Sequence, residues 1–323
     1  MPALDPDVEK LLELGRQAGK PPFEALTPEQ ARAAYAASWD VLQPPAEAVA
    51  SVQDVTVPGN AGGLRLRIYR SANTGADETL PCLLFLHGGG WVIGNLESHD
   101  RLCRRLANLA RICVVAADYR LAPEHRYPAA LEDAASALQW VSGNAAALRI
   151  APGRIGVGGD SAGGNLAAVL ALMARDGTLP PVMFQALLYP AVDLTASSAS
   201  YQRVTTGVPL TAATMHYFIG HYTPDAGSRS DWRTSPLQAA SLAGCAPALV
   251  LTVAHDPLCD EGIAYAKRLE AEGVRVTSLH LADHMHGMLT HGKLVRASNV
   301  MLDCIGAITG HALHHGAPAA RGA

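Results

Sequence analysis

The feature that most constrains this chain is the pentapeptide Gly159–Gly163, which has the pattern G-x-S-x-G. It lies between an apolar stretch that contains Ile155 and Val157 and a helix-like apolar stretch that follows Asn165. A serine on a sharp strand-to-helix turn needs glycine two residues before and two residues after it, because a Cβ at either place would collide with nearby backbone. N–H groups at the start of the helix would then face negative charge that develops beside the serine. The pattern predicts that Ser161 is a nucleophile, and a chance glycine turn is the alternative.

A second motif, His87–Trp91 (HGGGW), directly follows an apolar stretch at 83–86 that predicts a buried strand. Three successive glycines leave backbone N–H groups uncovered, as an oxyanion hole requires. A flexible glycine turn is the alternative interpretation. The serine motif follows about 70 residues downstream, and the two motifs occur in this order in hydrolases that carry their nucleophilic serine on such a turn. We therefore predict that Gly88, Gly89 and Gly90 contribute to an oxyanion hole.

A serine hydroxyl is a weak nucleophile at neutral pH, so Ser161 needs a base and an acid that orients the base. Asp256 follows the apolar segment 248–253 and precedes a proline, which places a carboxylate at the end of a predicted strand. His286 lies after the last predicted strand and precedes a glycine. We predict that Asp256 and His286 are the partners of the serine. The alternatives are a helix-capping role for Asp256 and a base at His284.

Histidines and acids cluster in this region, so it can also be interpreted as a metal site. The members of the cluster are His280, Asp283, His284, His286 and His291. They lack H-E-x-x-H or comparable spacing, and serine chemistry already accounts for His286. We therefore predict neither a metal nor another cofactor.

The composition indicates a soluble enzyme. The 323 residues are 49% hydrophobic and 17% charged, which is sufficient for a sizeable core. A net charge of −4 without a basic stripe argues against a nucleic-acid partner. The longest apolar runs fall short of the roughly 18–20 residues that cross a bilayer, so no integral membrane association is expected.

Six cysteines, at positions 82, 103, 113, 245, 259 and 304, show no C-x-x-C spacing, and several lie in apolar strand or helix patterns. The first ten residues are acidic and lack the positive region and apolar core of a signal peptide. We therefore expect reduced, buried thiols and a cytoplasmic location.

Strand-like and helix-like segments alternate along most of the chain, which predicts an α/β fold with a mostly parallel sheet and helices on both faces. Strand patterns occur at 51–57, 64–70, 83–87, 112–118, 154–158, 183–189, 248–253 and 274–281. Helix patterns occur at 97–110, 129–146, after Ser161, at 261–272 and at 291–309. The chain from Ala312 onward is expected to fray.

Two segments, 1–45 and 195–237, interrupt the alternation. The first has a helix start at Thr27, with proline and then glutamine in the first turn. The second has an apolar stripe at helical spacing, formed by Met215, Phe218, Ile219 and Tyr222. We predict that both form a helical cap over the substrate pocket; simple packing of the stripe on the body is the alternative. The catalytic core would comprise 46–194 and 238–315, followed by a flexible tail at 316–323.

Together, these motifs resemble the hormone-sensitive-lipase-like family of esterases, typified by bacterial carboxylesterases with an H-G-G-G motif. The matching stretches are His87–Trp91, Asp118–Glu124 with 127–130, Gly158–Asn165, Asp256–Leu258 with 260–262, and His286-Gly287. Five motifs in the family's order make the resemblance specific. It implies an α/β-hydrolase sheet of eight mostly parallel strands under a cap built from the N-terminal helices and an insertion.

The resemblance also implies roles for single residues. It gives Ser161 the role of nucleophile and Asp256 and His286 those of its partners, and it adds the N–H of Ala162 to the glycine motif in the oxyanion hole. The stretch Asp118–Arg120 and Glu124 are expected to form a polar network that braces the loop below the active site.

Four apolar residues are predicted to line the substrate pocket: Trp91, Met215, Phe218 and Met288. Ordinary packing is an equal alternative for Trp91. The chain departs from the family's pattern at His255, Cys259 and Met288, where an aromatic or glycine, an arginine and a phenylalanine are common. None of these departures removes a reacting group, but Met288 leaves the acyl-chain preference open.

The predicted activity is hydrolysis of carboxylic esters with short to medium acyl chains through an acyl-enzyme. The expected partner is a small-molecule ester, and a homodimer is a possible assembly. Amide or peptide hydrolysis is one alternative, because the same side chains serve it. A catalytically silent receptor on the same fold is the other, and the presence of Ser161, Asp256 and His286 together argues against it.

Overall fold

Parallel strands and the helices between them form the body of the protein. The computed structural model describes residues 2–59, 62–72, 74–75 and 77–317, and these contain one sheet of eight strands. In chain order, the strands are β1 (Ser51–Gly59), β2 (Gly62–Arg70), β3 (Leu80–Leu86), β4 (Cys113–Asp118), β5 (Ile150–Asp160), β6 (Gln185–Leu188), β7 (Ala248–His255) and β8 (Val276–Met285). All eight predicted strands are confirmed. The largest differences are that β5 begins four residues earlier and β8 ends four residues later than predicted.

The strand order across the sheet is β1-β2-β4-β3-β5-β6-β7-β8. Strands β3 to β8 pair in parallel, whereas β1 and β2 are antiparallel to their neighbours at one edge. Every residue of β3 is buried, as expected for a strand with helices on both of its faces. Because the parallel strands point the same way, the residues that follow them meet at one edge of the sheet.

Helices cover both faces of this sheet. Over the described residues they are α1 (Pro6–Gln17), α2 (Pro28–Ala36), α3 (Trp39–Leu42), α4 (Leu96–Ala110), α5 (Ala129–Gly143), α6 (Ala162–Arg175), α7 (Ala199–Arg203), α8 (Ala212–Tyr222), α9 (Cys259–Ala271) and α10 (Arg296–His315). Buried residues of α5, α6 and α9 belong to one apolar cluster, and those of α4 and α10 belong to another. The mostly parallel sheet between two helical layers confirms the predicted α/β fold.

The last helix corrects one prediction. The chain does not fray at Ala312, because α10 continues to His315 and the side chain of Leu313 is fully buried. The guanidinium of Arg154 donates to the carbonyls of Leu313 and His314 at 2.8 and 2.7 Å, which satisfies two carbonyls that a helix end leaves without partners. Of the tail predicted at 316–323, residues 318–323 lie outside the described residues.

The N-terminal segment is fastened to β8, the strand at the far edge of the sheet. The N–H of Asp5 donates to the carbonyl of Asp283 at 2.9 Å. Val8 of α1 is fully buried in a small apolar cluster with Met285 and Val295. The start of the chain therefore packs directly against the end of β8.

The two segments that interrupt the alternation contact each other. In the first, Thr27 and Gln30 form the predicted capping box at the start of α2. The hydroxyl of Thr214 in α8 donates to Glu24 at 2.7 Å, and the ring centroids of Phe23 and Phe218 lie 5.9 Å apart. All four members of the predicted stripe on α8 are buried.

The polar network expected around 118–124 is present. Arg120 donates to the buried carboxylate of Asp133 at 2.8 Å. Glu124 pairs with Arg32 of α2 at 2.7 Å, and the same guanidinium donates to the carbonyl of Val92 at 2.8 Å. The network therefore ties α2 to the segment that follows the glycine motif.

A buried acid that the sequence analysis did not single out fixes the loop after β6. Glu261 of α9 is 1% exposed, and its Oε1 accepts the N–H groups of Val192 and Asp193 at 2.7 and 3.1 Å. Burial raises the pKa of Glu261 well above its ordinary value, and the two N–H donors only partly oppose this. Glu261 therefore keeps its proton to a higher pH in the folded protein than in the unfolded chain.

This raised pKa predicts a pH-dependent stability. A carboxyl that binds its proton more tightly in the folded protein contributes stability that is present at low pH. That stability is lost as pH rises from the unfolded pKa, about 4.3, through the folded pKa. Glutamine keeps the acceptor oxygen and cannot ionise. The quantity to compare is the melting temperature of Glu261→Gln minus that of wild type. We expect this difference to be at least about 2 °C larger at pH 8 than at pH 5.

Thermal unfolding at the two pH values measures this difference. Glu270→Gln, on the exposed face of the same helix, is the matched control and should show no such change. Equal differences at pH 5 and pH 8 for Glu261→Gln would show that Glu261 is ionised in the folded protein.

Candidate active site

Ser161 stands on a strained turn between β5 and α6. Its backbone has φ +55° and ψ −118°, a conformation that costs energy for any residue with a side chain. A Cβ built on Gly159 or on Gly163 would lie less than 3.0 Å from the carbonyl oxygen of Leu86 in β3. Only glycine fits at these two positions, which is the physical basis of the sequence pattern around the serine.

Hydrogen bonds on both sides hold the turn. The N–H of Ser161 donates to the carbonyl of Leu188 at 2.9 Å, and its carbonyl accepts from Ala191 at 3.2 Å. The side-chain amide of Asn165 donates to the carbonyls of Ala191 and Thr234 at 2.8 and 2.7 Å. The serine backbone is thus locked against the loop that follows β6.

Asp256 and His286, which the sequence analysis paired, are in contact. The Nδ1 of His286 lies 2.7 Å from Oδ2 of Asp256, a carboxylate that is 1% exposed. The other oxygen of Asp256 accepts the N–H of Leu258 at 2.8 Å. Leu258 rather than Asp256 is the residue at the N-terminal cap of α9, which removes the helix-capping alternative. Ser161, Asp256 and His286 follow β5, β7 and β8, so all three stand at the same edge of the sheet.

Tyr189, which follows β6, packs against the imidazole of His286. The ring centroids are 4.6 Å apart with an interplanar angle of 57°. The backbone of Tyr189 has φ +37°, which is rare for a residue with a side chain. Burial raises the pKa of its hydroxyl well above the ordinary value. The sequence analysis missed this residue, because neither the positive φ nor the ring contact leaves a pattern in the sequence.

The alternative base, His284, has a different environment. It lies within β8 and not in a loop, and its Nδ1 contacts Asp283 at 2.7 Å. Asp283 is half exposed, whereas Asp256 is buried. The geometry therefore favours His286 over His284.

The members of the histidine-rich cluster have separate partners. The Nδ1 of His280 contacts the hydroxyl of Thr252 at 2.9 Å. His291 is partly buried, and burial together with the charge of His286 lowers its pKa to about 4. Within the described ranges, no three His, Cys, Asp or Glu side chains are grouped so that they could hold a metal ion.

The backbone of the glycine motif forms a tight turn, in which the N–H groups of Val92 and Ile93 donate to the carbonyl of Gly89. Gly89 and Gly90 have φ of +126° and +57°, and no hydrogen bond among the described residues uses the N–H of either one. Ala162 is the first residue of α6, where an N–H has no partner within the helix. Gly88 does not fit the predicted oxyanion role, because its N–H already donates to Oδ1 of Asp160 at 2.8 Å.

Three of the four predicted pocket residues pack on the same side as α8. Phe218 lies directly over the glycine motif, since a Cβ on Gly90 would overlap its ring. Trp91 is fully buried and stacks on Tyr222, with ring centroids 4.5 Å apart. Met215 belongs to the same apolar cluster as these residues. Met288 is also fully buried, but it belongs to the cluster on the other face, with α4 and α10.

The cysteines are free thiols throughout the described chain, and five of the six are buried. Cys304 departs from the expectation, because it lies on the exposed face of α10. No helix in the described part of the chain is long and apolar enough to cross a membrane.

Comparisons with known proteins agree with this geometry. Residues 83–290 match the family model described as the alpha/beta hydrolase fold. The carboxylic ester hydrolase LipN of Mycobacterium tuberculosis is 45% identical over 74% of this chain, and the match spans 64% of LipN. An ethyl acetate hydrolase of Pseudomonas putida is 37% identical over 92% of this chain and 95% of its own length.

Solved structures give the same result. The crystal structure of a thermostable esterase from Pseudomonas putida ECU1011 is 36% identical and superposes with a TM-score of 0.92, covering 97% of this chain and 99% of that one. All three relatives are ester hydrolases, so the comparisons favour neither an amidase nor a silent receptor. The chain belongs to the hormone-sensitive-lipase-like carboxylesterases, which are serine ester hydrolases with the α/β-hydrolase fold.

Proposed function

We propose that this carboxylesterase hydrolyses esters of short to medium acyl chains through an acyl-enzyme on Ser161, with His286 as the base and Asp256 as the acid that orients it. The observation that carries the proposal is the 2.7 Å contact between His286 and the buried Asp256, at the sheet edge where the strained Ser161 also stands. The carboxylate accepts the Nδ1–H of His286. This leaves Nε2 as the nitrogen that removes the serine proton.

The reaction then has two halves. His286 takes the proton of Ser161 as the hydroxyl attacks the ester carbonyl, and it returns that proton to the leaving alcohol. Water, activated by the same imidazole, then attacks the acyl-enzyme and releases the acid. Asp256 stays ionised throughout and stabilises the imidazolium.

The oxyanion donors in this proposal are the N–H groups of Gly89, Gly90 and Ala162. The free N–H groups of the two glycines and the position of Ala162 at the start of α6 support this assignment. Such donors act on charge that develops only in the transition state, so they accelerate the chemical step rather than substrate binding.

Substitutions at the three reacting residues test the mechanism. Ser161→Ala and His286→Ala should each lower kcat by about 10⁶, because nucleophile and base act as one unit. Asp256→Asn should lower kcat by about 10⁴, because it permits the wrong imidazole tautomer. Steady-state hydrolysis of p-nitrophenyl acetate measures these losses. His284→Ala is the control and should stay within about threefold of wild type; an active His286→Ala with an inactive His284→Ala would refute the assigned base.

We also propose that the cap, formed by 1–45 and 195–237, sets the acyl-chain range. The position of Phe218 over Gly90 and the contact between Phe23 and Phe218 support this, because both cap segments then meet above the oxyanion donors. Trp91 and Met215 would form the adjacent wall. Met288 would act from the opposite side, two residues after His286 in the chain.

Phe218→Ala tests this role. The smaller side chain leaves apolar space above the glycine motif, and each methylene that becomes buried there contributes about 0.8 kcal/mol. We expect the ratio of kcat/KM for the octanoate ester to that for the acetate ester to rise by about tenfold or more. His216→Ala, which removes an exposed side chain of the same helix, should leave the ratio unchanged. An unchanged ratio in Phe218→Ala would place Phe218 outside the acyl site.

Finally, we propose a cytoplasmic location and a homodimeric state. The buried free thiols support the location. Residues 276–281 of β8, which precede the contact with Asp5, offer a sheet edge to which a second copy could add. Cell fractionation followed by size-exclusion chromatography with light scattering tests both. The expected result is a cytoplasmic species of twice the 33.8 kDa chain mass. A monomer contradicts the assembly, and recovery outside the cytoplasm contradicts the location.

A further inference from the structure

Side chains hold three successive backbone groups just before the proposed oxyanion donors. The hydroxyl of Tyr119 donates to the carbonyl of His87 at 2.6 Å. The N–H of Gly88 donates to Oδ1 of Asp160 at 2.8 Å. The Nδ1 of His87 lies 2.8 Å from the carbonyl of Gly88 and donates to it. The next two residues are the glycines whose N–H groups are free, so this anchoring fixes where those N–H groups point.

Asp160 is the charged member of this arrangement. Its side chain is almost fully buried and lies so close to Gly88 that a Cβ there would overlap the carboxylate. Burial by itself would raise the pKa of Asp160. The charge of His99 and the N–H of Gly88 outweigh burial and bring the pKa below its ordinary value. A buried carboxylate of this kind is stable only with a compensating charge or several donors.

His99 of α4 faces this carboxylate and is 1% exposed. Its Nε2 lies 3.0 Å from Oδ1 of Asp160, a short contact whose N–H direction departs from the ideal hydrogen-bond line. Its Nδ1 lies 2.8 Å from the hydroxyl of Ser98. That hydroxyl is 2.7 Å from the carbonyl of Asn95, to which it donates its one proton. The Nδ1 must therefore donate to Ser98, which leaves Nε2 as the nitrogen that faces the carboxylate.

The other titratable groups near Asp160 are uncharged at neutral pH. Burial lowers the pKa of His87 to about 3, so its imidazole is neutral. Burial raises the pKa values of Cys103, Tyr119 and Tyr189 well above their ordinary values. It also raises that of Tyr35. Within the described residues, His99 is thus the side chain in direct contact with Asp160 that can supply a positive charge.

We propose that Asp160 and His99 are positioning residues for the oxyanion hole: a second, buried imidazolium–carboxylate pair that holds Gly88, so that the N–H groups of Gly89 and Gly90 face the developing charge. The inference rests on the proposed function, in which those N–H groups bind the oxyanion. Asp160 directly precedes Ser161 in the chain. One side chain therefore couples the position of the nucleophile to that of the oxyanion donors.

Two conservative variants test this proposal. Asp160→Asn keeps an acceptor for the N–H of Gly88 and loses the charge, and His99→Gln keeps a donor toward Asp160 and loses the charge. A displacement of catalytic groups by about 1 Å costs about 10²-fold in rate. We therefore expect kcat to fall by about 10- to 100-fold in each variant while KM stays within about twofold.

Affinity for an alkyl trifluoromethyl ketone provides a second measurement. The ketone forms a hemiketal oxyanion with the serine and so resembles the transition state, and its Ki should rise by the same factor by which kcat/KM falls. The losses in the double variant should be smaller than the product of the single losses, because both residues act through one contact. Asp100→Asn is the matched control, since Asp100 lies next to His99 but contacts Arg67 and Arg104 instead. It should leave kcat and Ki within about twofold of wild type, because its ion pairs with Arg67 and Arg104 do not hold the glycine motif.

Several outcomes would overturn the proposal. These are an unchanged kcat and ketone affinity in folded variants, a raised KM at constant kcat, or multiplicative losses in the double variant. Circular dichroism establishes folding, and if Asp160→Asn does not fold, His99→Gln decides. A wild-type enzyme that does not bind the ketone would instead mean that the proposed function has failed. ¹⁵N NMR, with His99→Gln for assignment, should show both ring nitrogens of His99 protonated at pH 7, and a single protonated nitrogen would overturn the ion pair.

Discussion

The contact between the backbones of β3 and α6 is the constraint on which the site depends. The carbonyl of Leu86 approaches Gly159 and Gly163 so closely that no side chain fits at either position. This close approach requires the sharp turn at Ser161, whose backbone is strained. It also places the glycine motif, which begins directly after β3, beside Ser161. The proposed nucleophile and the proposed oxyanion donors are therefore neighbours because β3 and β5 are neighbouring strands.

Two imidazole–carboxylate contacts flank this turn, and their exposure differs. His286 and Asp256 lie at the edge of the sheet, where the imidazole retains some access to solvent. His99 and Asp160 are buried below the glycine motif, next to a neutral imidazole and a protonated phenol. A base must gain and lose a proton in each catalytic cycle, whereas a pair that only holds backbone in place works best when its protons stay fixed. Burial therefore distinguishes the pair that we propose for proton transfer from the pair that we propose to hold the backbone.

Much of the fold could be predicted from the sequence, because apolar periodicity and glycine positions reflect local geometry. The eight strands and the capping box at Thr27 are of this kind. The pairing of Asp256 with His286 was predicted from the order of nucleophile, acid and base along the chain of such hydrolases. Contacts between distant segments that belong to no motif could not be predicted. Arg154 extends α10, Tyr189 packs on His286, and Asp160 takes the N–H of Gly88 only because the fold brings them together. The glycine motif could therefore be recognised in the sequence. That Asp160 binds the N–H of Gly88 and leaves those of Gly89 and Gly90 free could not.

The contact between the N-terminal segment and β8 has a consequence for the order in which parts of the protein fold. Asp5 and Val8 contact Asp283 and Met285, almost the full length of the chain away. During synthesis the first helix emerges long before its binding surface exists, and contacts between such distant segments form late because closing the intervening loop costs entropy. The strand that leads to His286 thus acquires its contact with α1 only after the chain has been made through β8. A nascent chain can therefore already contain the complete turn at Ser161 while the segment that carries His286 still lacks this contact.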